Sequence, residues 1–277
     1  MSRCIACGGA TLRVAFTTGR FDIVRCDTCG LGRTETPGDF DPSTYYSRQY
    51  FAGGVTDGYA DYLATERTLR AEFRHTLDWI LRRTPARGAL LEFGCAYGFF
   101  LQEAQRHFAS VHGVDVSADA AAFCRARGLD VAAGTVDDRW PGGPYDVVVG
   151  LDVIEHLPEP RETLRVLASR MSPGGLLVMT TGDWAAFYPR VAGRHWRLMT
   201  PPQHLSFFTP QSIGRLLEAA GLRVQSITHP WRRVPLSLAA YQLQRFVGLR
   251  PRPIKGLDRL AFPMNLWDTM RVAAVKG

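Results

Sequence analysis

Short apolar runs alternate with amphipathic segments through the middle of this 277-residue chain. The runs are too short for helices and are bounded by glycine, proline or polar residues, which is typical of strands buried in a parallel sheet. Strands that alternate with helices predict a doubly wound α/β fold. The predicted strands cover residues 89–93, 111–116, 130–132, 145–151 and 176–180, and the predicted helices cover 99–107, 118–127 and 159–171.

The chain before this alternation has two parts of different character. Residues 11–17 and 22–25 predict short strands around a turn at Gly19. Residues 33–58 are rich in proline, glycine and aromatic residues, which predicts a linker. Its aromatic cluster at 45–51 either closes over a ligand or packs on the helix that follows. Helical spacing of apolar residues predicts that amphipathic helix over 59–83.

Four of the six cysteines form two C-x2-C pairs with eighteen residues between them. A glycine follows each pair, which allows the backbone amides to turn toward the sulfurs. Paired cysteines at this spacing are typical of a structural, tetrahedral Zn²⁺ site, and two disulfides are the alternative in an exported protein. The sequence predicts a small zinc ribbon with four ligands, Cys4, Cys7, Cys26 and Cys29.

A glycine turn joins the first strand of the alternation to its helix, and an acid follows one strand later. Such a turn brings a ligand close to the backbone amides at a helix N-terminus, and Asp115 is placed to bind a ribose diol. Dinucleotides and S-adenosylmethionine both carry such a ribose. A dinucleotide site requires G-x-G-x-x-G, whereas Glu92 here opens a turn with three residues between Gly94 and Gly98. The spacing therefore favours S-adenosylmethionine.

Four stretches of the chain resemble the class I S-adenosylmethionine-dependent methyltransferases. They are LEFGCAYGFFL at 91–101, GVDVS at 113–117, YDVVVGLDVIEHL at 145–157, and 167–179 with its SPGG turn. Ala96 departs from the family, where glycine is more usual, but alanine is small enough that we expect binding to survive. The resemblance implies cofactor contacts from Glu92, Gly94, Cys95 and Gly98 at the methionine side, Asp115 at the ribose with Val116 beside it, Asp137 or Asp138 at the adenine, and Leu151 and Asp152 flanking the sulfonium.

The same resemblance implies the remaining architecture. A helix at 211–220, a sixth strand at 222–228 and an antiparallel seventh strand at 269–275 would complete the sheet. We expect a doubly wound, seven-stranded Rossmann-like methyltransferase sheet with a small N-terminal Cys4 zinc ribbon. The expected division is a zinc ribbon at 1–35, a linker and N-terminal helix at 36–84, and a methyltransferase domain at 85–277 with acceptor-site insertions near 182–209 and 231–268.

The excess of positive charge lies near the C-terminus. The net charge is +7, and residues 231–277 hold nine basic residues against two acidic ones. This surface either is simply solvated or suits an acidic acceptor, RNA or an anionic membrane face. With 46% hydrophobic residues the chain is expected to be globular, and no apolar run is long enough to predict a membrane span. Residues 1–20 lack the apolar core of a signal peptide, so we expect a cytoplasmic protein.

Transfer of a methyl group to a hydroxyl, amine or acidic carbon requires a base that removes a proton, and three histidines are candidates. His204 and His195 lie in the first insertion, among aromatic residues and prolines that favour an apolar slot. His156 follows the fourth strand, at the carboxyl edge of the sheet where ligands bind. We rank them His204, His156, His195, and each has a purely structural alternative. Cys95 is expected to be a packing residue rather than a nucleophile.

The sequence thus predicts an enzyme that methylates a small-molecule acceptor such as a natural product, a sugar or a glycan precursor. A ribosomal-RNA base methyltransferase is the main alternative, because a zinc ribbon and basic patches can hold RNA. Against it, residues 1–35 carry only two more basic than acidic residues, and the aromatic segment at 182–209 fits a pocket better than a base-flipping groove. A non-catalytic protein that docks partners through its ribbon is the third hypothesis.

Overall fold

The computed structural model describes residues 3–37, 62–137, 142–236 and 261–277, together with residues 240 and 244. The aromatic cluster at 45–51, Asp138 and most of the expected insertion at 231–268 lie outside the described residues. Within the described ranges, no helix combines the length and the apolar character that crossing a membrane demands.

Strands and helices follow one another much as the alternation predicts. The strands are β1 (Leu12–Thr18), β2 (Phe21–Cys26), β3 (Gly32–Thr34), β4 (Ala89–Phe93), β5 (Ser110–Asp115), β6 (Asp130–Ala133), β7 (Tyr145–Leu151), β8 (Met171–Gly182), β9 (Ser206–Phe207), β10 (Leu222–Thr228), β11 (Arg232–Pro235), β12 (Ala261–Met264) and β13 (Thr269–Lys276). The helices are α1 (Glu66–Leu81), α2 (Phe99–Ala104), α3 (Ala118–Arg125), α4 (Pro160–Ser169), α5 (Phe187–Ala192) and α6 (Pro210–Ala219), with 3-10 turns at Leu63–Thr65, Ile154–His156 and Gly193–His195.

A seven-stranded mixed sheet forms the centre of the molecule, in the order β10-β13-β8-β7-β4-β5-β6. The neighbouring strands β6, β5, β4, β7 and β8 pair in parallel, because the connections between them cross over a face of the sheet. β13 runs antiparallel to both β8 and β10, as expected for the seventh strand. The doubly wound, seven-stranded architecture is confirmed.

Helices cover both faces of this sheet. Side chains of α1, α2 and α3 pack on one face of the sheet, where they share a core with Val147 and Val149 of β7. Side chains of α4 and α6 pack on the other face, where they share a core with Val148. Successive residues of a strand point to opposite faces, so an uninterrupted valine run supplies both cores at once. The predicted cofactor residues of β4, β5 and β7 stand at the carboxyl ends of the parallel strands, between the two helical layers.

Several boundaries differ from those that the pattern predicts. α1 begins at Glu66, after a 3-10 turn, rather than at residue 59, and α2 ends at Ala104 rather than at 107. β8 begins at Met171, five residues before the predicted start. The Ser-Pro-Gly-Gly segment does not end the preceding helix in a loop; it forms an irregularity inside the strand, where the pairing passes from Tyr145–Met171 to Val147–Leu176.

The N-terminal ribbon is a four-stranded antiparallel sheet in the order β1-β2-β3-β9. Two of these strands, β3 and β9, were not predicted, because three and two residues are too few to show periodicity. β9 belongs to the insertion between β8 and α6, so a segment from the second half of the chain completes the ribbon. A second short pair, β11 with β12, frames the insertion after β10.

The cysteine end of the ribbon is buried against the main domain. Its cysteines, together with Leu31, share one hydrophobic core with α4 and α6. The Thr209 hydroxyl, at the start of α6, donates to the Cys29 carbonyl at 2.9 Å, and Arg161 of α4 donates to the Ile5 carbonyl at 3.0 Å. The ribbon is therefore part of the packed structure of the chain rather than a tethered appendage.

Buried carboxylates fasten the insertion at 182–209 to the residue before β13 and to the residue after β10. Asp268 is 1% exposed and accepts two hydrogen bonds from Arg197, at 2.9 and 3.0 Å, and one from the Trp196 indole at 2.9 Å. Asp183 is paired with the His229 ring at 2.8 Å. The insertion predicted to carry acceptor residues is thus folded back over the carboxyl edge of the sheet.

Candidate active site

The four ribbon cysteines converge on one point. The Sγ atoms of Cys4 and Cys29 are 3.6 Å apart, those of Cys7 and Cys26 are 3.7 Å apart, and all four lie within 4.8 Å of one another. Sulfurs around a tetrahedral zinc with bonds of about 2.3 Å would be about 3.8 Å apart. Gly8 and Gly30 adopt left-handed φ angles of 72° and 74°, as the turns after the cysteine pairs require. The donor set and its spacing fit a tetrahedral metal ion.

The thiols of this group influence one another's protonation. Hydrogen bonding with Cys29 lowers the pKa of Cys4 to about 5, and the same contact raises the pKa of Cys29. All six cysteines of the chain are free thiols, so the disulfide alternative is not realised in this structure.

The predicted glycine turn lies between β4 and α2. Gly94 has a φ of 68°, and a Cβ there would come within 2.4 Å of the Val153 side chain, so only glycine fits. Ala96 also has a positive φ, 46°, a conformation that costs a residue with a Cβ about 1–2 kcal/mol. Strain of this kind persists where surrounding contacts enforce it and is common at binding sites.

Asp115 stands at the end of β5 and faces that turn. Its Oδ2 accepts a hydrogen bond from the Ala96 amide at 2.7 Å, and its Oδ1 accepts one from the Ser117 amide at 2.9 Å. Burial raises the pKa of Asp115, against the two hydrogen bonds that lower it. Each carboxylate oxygen has a second lone pair, so a carboxylate fixed in this way can still accept two hydroxyl groups.

Other predicted cofactor residues differ in their accessibility. Glu92 lies within β4, 3% exposed, and burial raises its pKa well above the usual value. Cys95 is buried, and a hydrogen bond with Cys124, together with burial, raises its pKa well above the usual value, so its thiol is suited to packing. Val116, which follows β5, is 37% exposed, and Asp137 is half-buried in the segment after β6.

Leu151 and Asp152 end β7, next to the glycine turn. Asp152 has a φ of 54°, and its carboxylate accepts hydrogen bonds from Thr180 at 2.9 Å and from Arg232 at 2.5 Å. Partial burial raises the pKa of Asp152, but the charge and hydrogen bond of Arg232 outweigh it and lower the pKa overall. Arg232 also pairs with Glu72 of α1 at 2.9 Å. A charged network therefore borders the open edge of the sheet.

His156 and His204 come together behind this network. Their rings meet edge to face, with centroids 4.7 Å apart. The Nδ1 atom of His156 is 3.0 Å from the Gln203 carbonyl, and that of His204 is 2.7 Å from the Leu198 carbonyl. Carbonyls only accept, so the Nδ1 of His204 carries the proton and its neutral ring keeps Nε2 as a proton acceptor. Glu155 offers a carboxylate oxygen within 4.8 Å of a nitrogen of each ring, a spacing that could hold a cation.

Burial gives this cluster an unusual protonation state. Burial, with the charge of His156, lowers the pKa of His204 to about 3, and partial burial lowers that of His156. Burial, with the charge of Asp152, raises the pKa of Glu155 to about 8. At neutral pH both imidazoles are therefore neutral and Glu155 holds its proton.

Residues 65–227 match the methyltransferase-domain family, which is more than half of the chain. The chain belongs to this family. It is an S-adenosylmethionine-dependent methyltransferase, and the resemblance inferred from the four sequence stretches is confirmed.

Curated relatives and solved structures agree with this assignment. The chain is 27% identical over 196 residues to a ubiquinone biosynthesis O-methyltransferase of Xylella fastidiosa, which covers 64% of this methyltransferase and 80% of the relative. It is 29% identical over 171 residues to the enzyme of the same name from Aeromonas salmonicida, 55% of this chain and 71% of the relative.

The fold is similar to that of the magnesium protoporphyrin IX methyltransferase of Synechocystis solved with bound SAH, with a TM-score of 0.53, 13% identity, and coverage of 83% of this chain and 97% of that one. A putative methyltransferase of Haloferax volcanii, solved in complex with the Trm112 activator, gives a TM-score of 0.54 at 16% identity and covers 76% and 92%. At these identities the likeness concerns the fold alone.

The structure separates the third predicted histidine of the methyltransferase from the other two. His195 is exposed on the 3-10 turn after α5, where Arg194 is hydrogen-bonded to its ring at 3.3 Å. It does not belong to the cluster of Glu155, His156 and His204.

The ribbon holds the segment that carries His204. The hydroxyl of Thr34, a buried residue of β3, donates to the His204 carbonyl at 2.7 Å, and the Thr34 amide donates to the Leu205 carbonyl at 3.0 Å. Arg33 donates to the Ser206 hydroxyl at 3.0 Å. The backbone at His204 is thus held by β3, the strand that follows the last ribbon cysteine.

Sequence reasoning missed the residues that fix the charges of the site. Arg232 and Thr180 hold Asp152, and Glu155 stands beside the two histidines. The only sequence signal for Glu155 was its place in the DVIEHL stretch, between two residues already singled out. Nothing in the spacing links Arg232 to Asp152, which lies eighty residues earlier.

Proposed function

We propose that this methyltransferase transfers the methyl group of S-adenosylmethionine to a hydroxyl-bearing small molecule, with His204 as the proton acceptor. The buried pair of neutral histidines at the carboxyl edge of the sheet carries the proposal. The named activity of the relatives, O-methylation in ubiquinone biosynthesis, supports an oxygen atom and a small acceptor. A natural product, a sugar or a glycan precursor remains the proposed acceptor class.

The cofactor is proposed to lie along the carboxyl edge, from the turn after β4 to the end of β7. Gly94, Cys95 and Gly98 would line its methionine part, with Glu92 supporting the turn from below. Asp115 would accept the ribose hydroxyls, which its backbone-anchored carboxylate supports. The exposed apolar surface of Val116 supports a contact with the adenine, beside Asp137.

Leu151 and Asp152 are proposed to flank the sulfonium, which supplies an already activated methyl group. The residues then have to align the acceptor, worth about 7–11 kcal/mol of the barrier in well-oriented systems, and to take up its proton. His204 Nε2 would receive that proton while its Nδ1–H stays bound to the Leu198 carbonyl. The Asp152 carboxylate, whose charge acts to raise the pKa of His204, would favour the charged ring.

We further propose that Cys4, Cys7, Cys26 and Cys29 bind one structural Zn²⁺ ion. Four thiolates complete a tetrahedral shell and leave no position for substrate. The burial of this end of the ribbon against α4 and α6 supports a stabilising role. Elemental analysis of the purified chain should find one zinc per molecule, and serine at two of the four positions should abolish it. The reduced state of these cysteines also supports the proposed cytoplasmic location, because the cytosol keeps thiols reduced.

Labelled methyl groups test the acceptor class. The enzyme is incubated with S-adenosylmethionine carrying a radioactive methyl group and with cell extract divided into RNA and small-molecule fractions. Label confined to the small-molecule fraction is expected, and His204→Ala should reduce it at unchanged S-adenosylhomocysteine affinity. Label in RNase-sensitive material would instead favour the ribosomal-RNA alternative. If no label is transferred to either fraction although the protein binds the cofactor, the result would favour the hypothesis of a non-catalytic docking protein.

A further inference from the structure

A small cavity of about 50 Å³ opens beside the charged network at the end of β7. It lies between α1, the ends of β7 and β8, β13 and the start of β11, and Leu151, Thr180, Trp231, Arg232 and Arg271 are among its lining residues. The volume is a few times the 10–15 Å³ or so that one water molecule needs, so a carboxylate or phosphate group fits. Because Leu151 and Thr180 also adjoin Asp152, the cavity borders the proposed sulfonium position.

Arg271 is the unusual member of this lining. It stands on β13 opposite Thr180 of β8, and its Nε is buried without a hydrogen-bond partner among the described residues. Its guanidinium rests 3.9 Å from the centre of the Trp79 ring, and that of Arg83 rests 3.4 Å from the same centre. Two guanidinium groups this close to one ring centre would overlap on a single face, so they cover opposite faces of the indole.

The charges around Arg271 are mainly positive. Burial, followed by the charges of Arg83, Arg82 and Arg232, lowers the pKa of Arg271 to about 10, so it stays protonated at neutral pH. Within the described part of the chain, no carboxylate forms an ion pair with it, whereas Arg232 is paired with both Glu72 and Asp152. A partly buried cation without a counter-ion is costly, and a bound anion would supply the missing partner.

We propose that Arg271 binds an anionic group, a carboxylate or a phosphate, of the methyl acceptor, in the cavity beside Asp152. This inference rests on the proposed function, since it assigns the chemistry of the acceptor to the same site. Arg271 offers the guanidinium donors, Arg83 and Arg82 add positive potential, and the Trp231 side chain, 70% exposed, forms an apolar rim at the entrance. Arg232 is paired with Glu72 and Asp152, and its positive charge offsets their negative charge, which would otherwise repel the anion.

Inorganic phosphate is the probe for this site, because the acceptor itself is unidentified. The full-length protein is titrated with phosphate by calorimetry, and tryptophan fluorescence is a second readout because Trp79 and Trp231, two of the six tryptophans, adjoin the site. Arg271→Gln should weaken phosphate binding about tenfold or more, as expected for loss of a charge-assisted hydrogen bond. Arg271→Lys should retain part of it, because it keeps the charge but not the planar fork. Arg215→Gln, on the exposed side of α6, is the matched control and should bind phosphate like the wild type.

Thermal unfolding gives an independent readout that does not depend on measuring weak binding. Without phosphate, Arg271→Gln should be at least as stable as the wild type, since it removes an uncompensated charge. Phosphate should raise the melting temperature of the wild type and of Arg215→Gln but not that of Arg271→Gln. Equal phosphate affinity and equal stabilisation in wild type and Arg271→Gln would overturn the site.

S-adenosylhomocysteine separates the acceptor from the cofactor as the source of the anion. Its affinity should be the same in wild type, Arg271→Gln and Arg215→Gln. If Arg271→Gln loses S-adenosylhomocysteine affinity along with phosphate, the arginine serves the methionine carboxylate and the acceptor assignment is wrong. If the wild type binds phosphate but not S-adenosylhomocysteine, the proposed cofactor site fails while the anion site stands.

Discussion

The hydrogen bond from Thr34 to His204 offers a direct test of whether the ribbon positions the proposed base. Thr34→Val keeps the shape of the side chain and removes only the hydroxyl, whose Oγ1 is 2.7 Å from the His204 carbonyl. Both residues are buried, so water cannot easily replace the lost donor. A buried acceptor left without its partner costs about 1–3 kcal/mol.

This free energy is expected to act locally. The His204 amide donates to the Thr200 carbonyl at 3.0 Å, and the Leu205 amide donates to the Glu155 carbonyl at 2.9 Å. If the Thr34 hydroxyl holds the segment closed, hydrogen exchange of these two amides should accelerate about tenfold for each 1.4 kcal/mol lost. Exchange of the β8 amides should change much less, because that strand lies in the centre of the main sheet.

Thr17→Val is the matched control. It makes the same substitution in the same ribbon, but the Thr17 hydroxyl bonds to Asp22 at the exposed end of the hairpin, at 2.6 Å. This control should leave exchange at His204 and Leu205 unchanged. The reasoning would be refuted if Thr34→Val left exchange at His204 and Leu205 as slow as in the wild type, or if it accelerated β8 by the same factor.

Three further predictions concern the metal, the cofactor and the acid beside the histidines. Removing the metal with a chelator should accelerate exchange in the ribbon and at 203–209 while S-adenosylhomocysteine still binds; complete loss of that binding would contradict a purely structural metal. Asp115→Ala should weaken S-adenosylhomocysteine binding by about 1–3 kcal/mol in calorimetry, and Asp119→Ala, exposed on α3, should not; an unchanged titration for Asp115→Ala would refute the ribose contact. The pKa of Glu155, raised to about 8 by burial and Asp152, means that the native state holds a proton that the unfolded state releases above about pH 4.3. The stability that this proton contributes is therefore full at low pH and is lost as the pH rises toward 8. The free energy of unfolding in urea should fall more steeply between pH 5 and 8 for the wild type than for Glu155→Gln. Equal slopes for the two proteins would count against the raised pKa.

The sequence by itself determined the alternating α/β sheet, the four clustered cysteines and the glycine turn after β4. These features are local: the valine run of β7 buries both faces of one strand, and Gly94 meets a backbone requirement of its own turn. The predicted boundaries of helices and strands were wrong where pairing with a strand distant in the chain overrode a local sequence signal. The Ser-Pro-Gly-Gly segment reads as a helix stop followed by a loop, yet pairing with β7 draws it into β8 as an irregularity.

Only the tertiary structure decided which histidines meet, what holds them and where charge is left uncompensated. His156 and His204 lie forty-eight positions apart in the chain, and their contact depends on β9 joining the ribbon sheet beside β3. Arg232 and Arg271 look alike in a basic C-terminal segment, but one is paired with Glu72 and Asp152 and the other is stacked on Trp79. Hydrogen bonds and ion pairs act over a few ångströms in space and have no period along the chain, so the sequence could propose these residues but could not assign their partners.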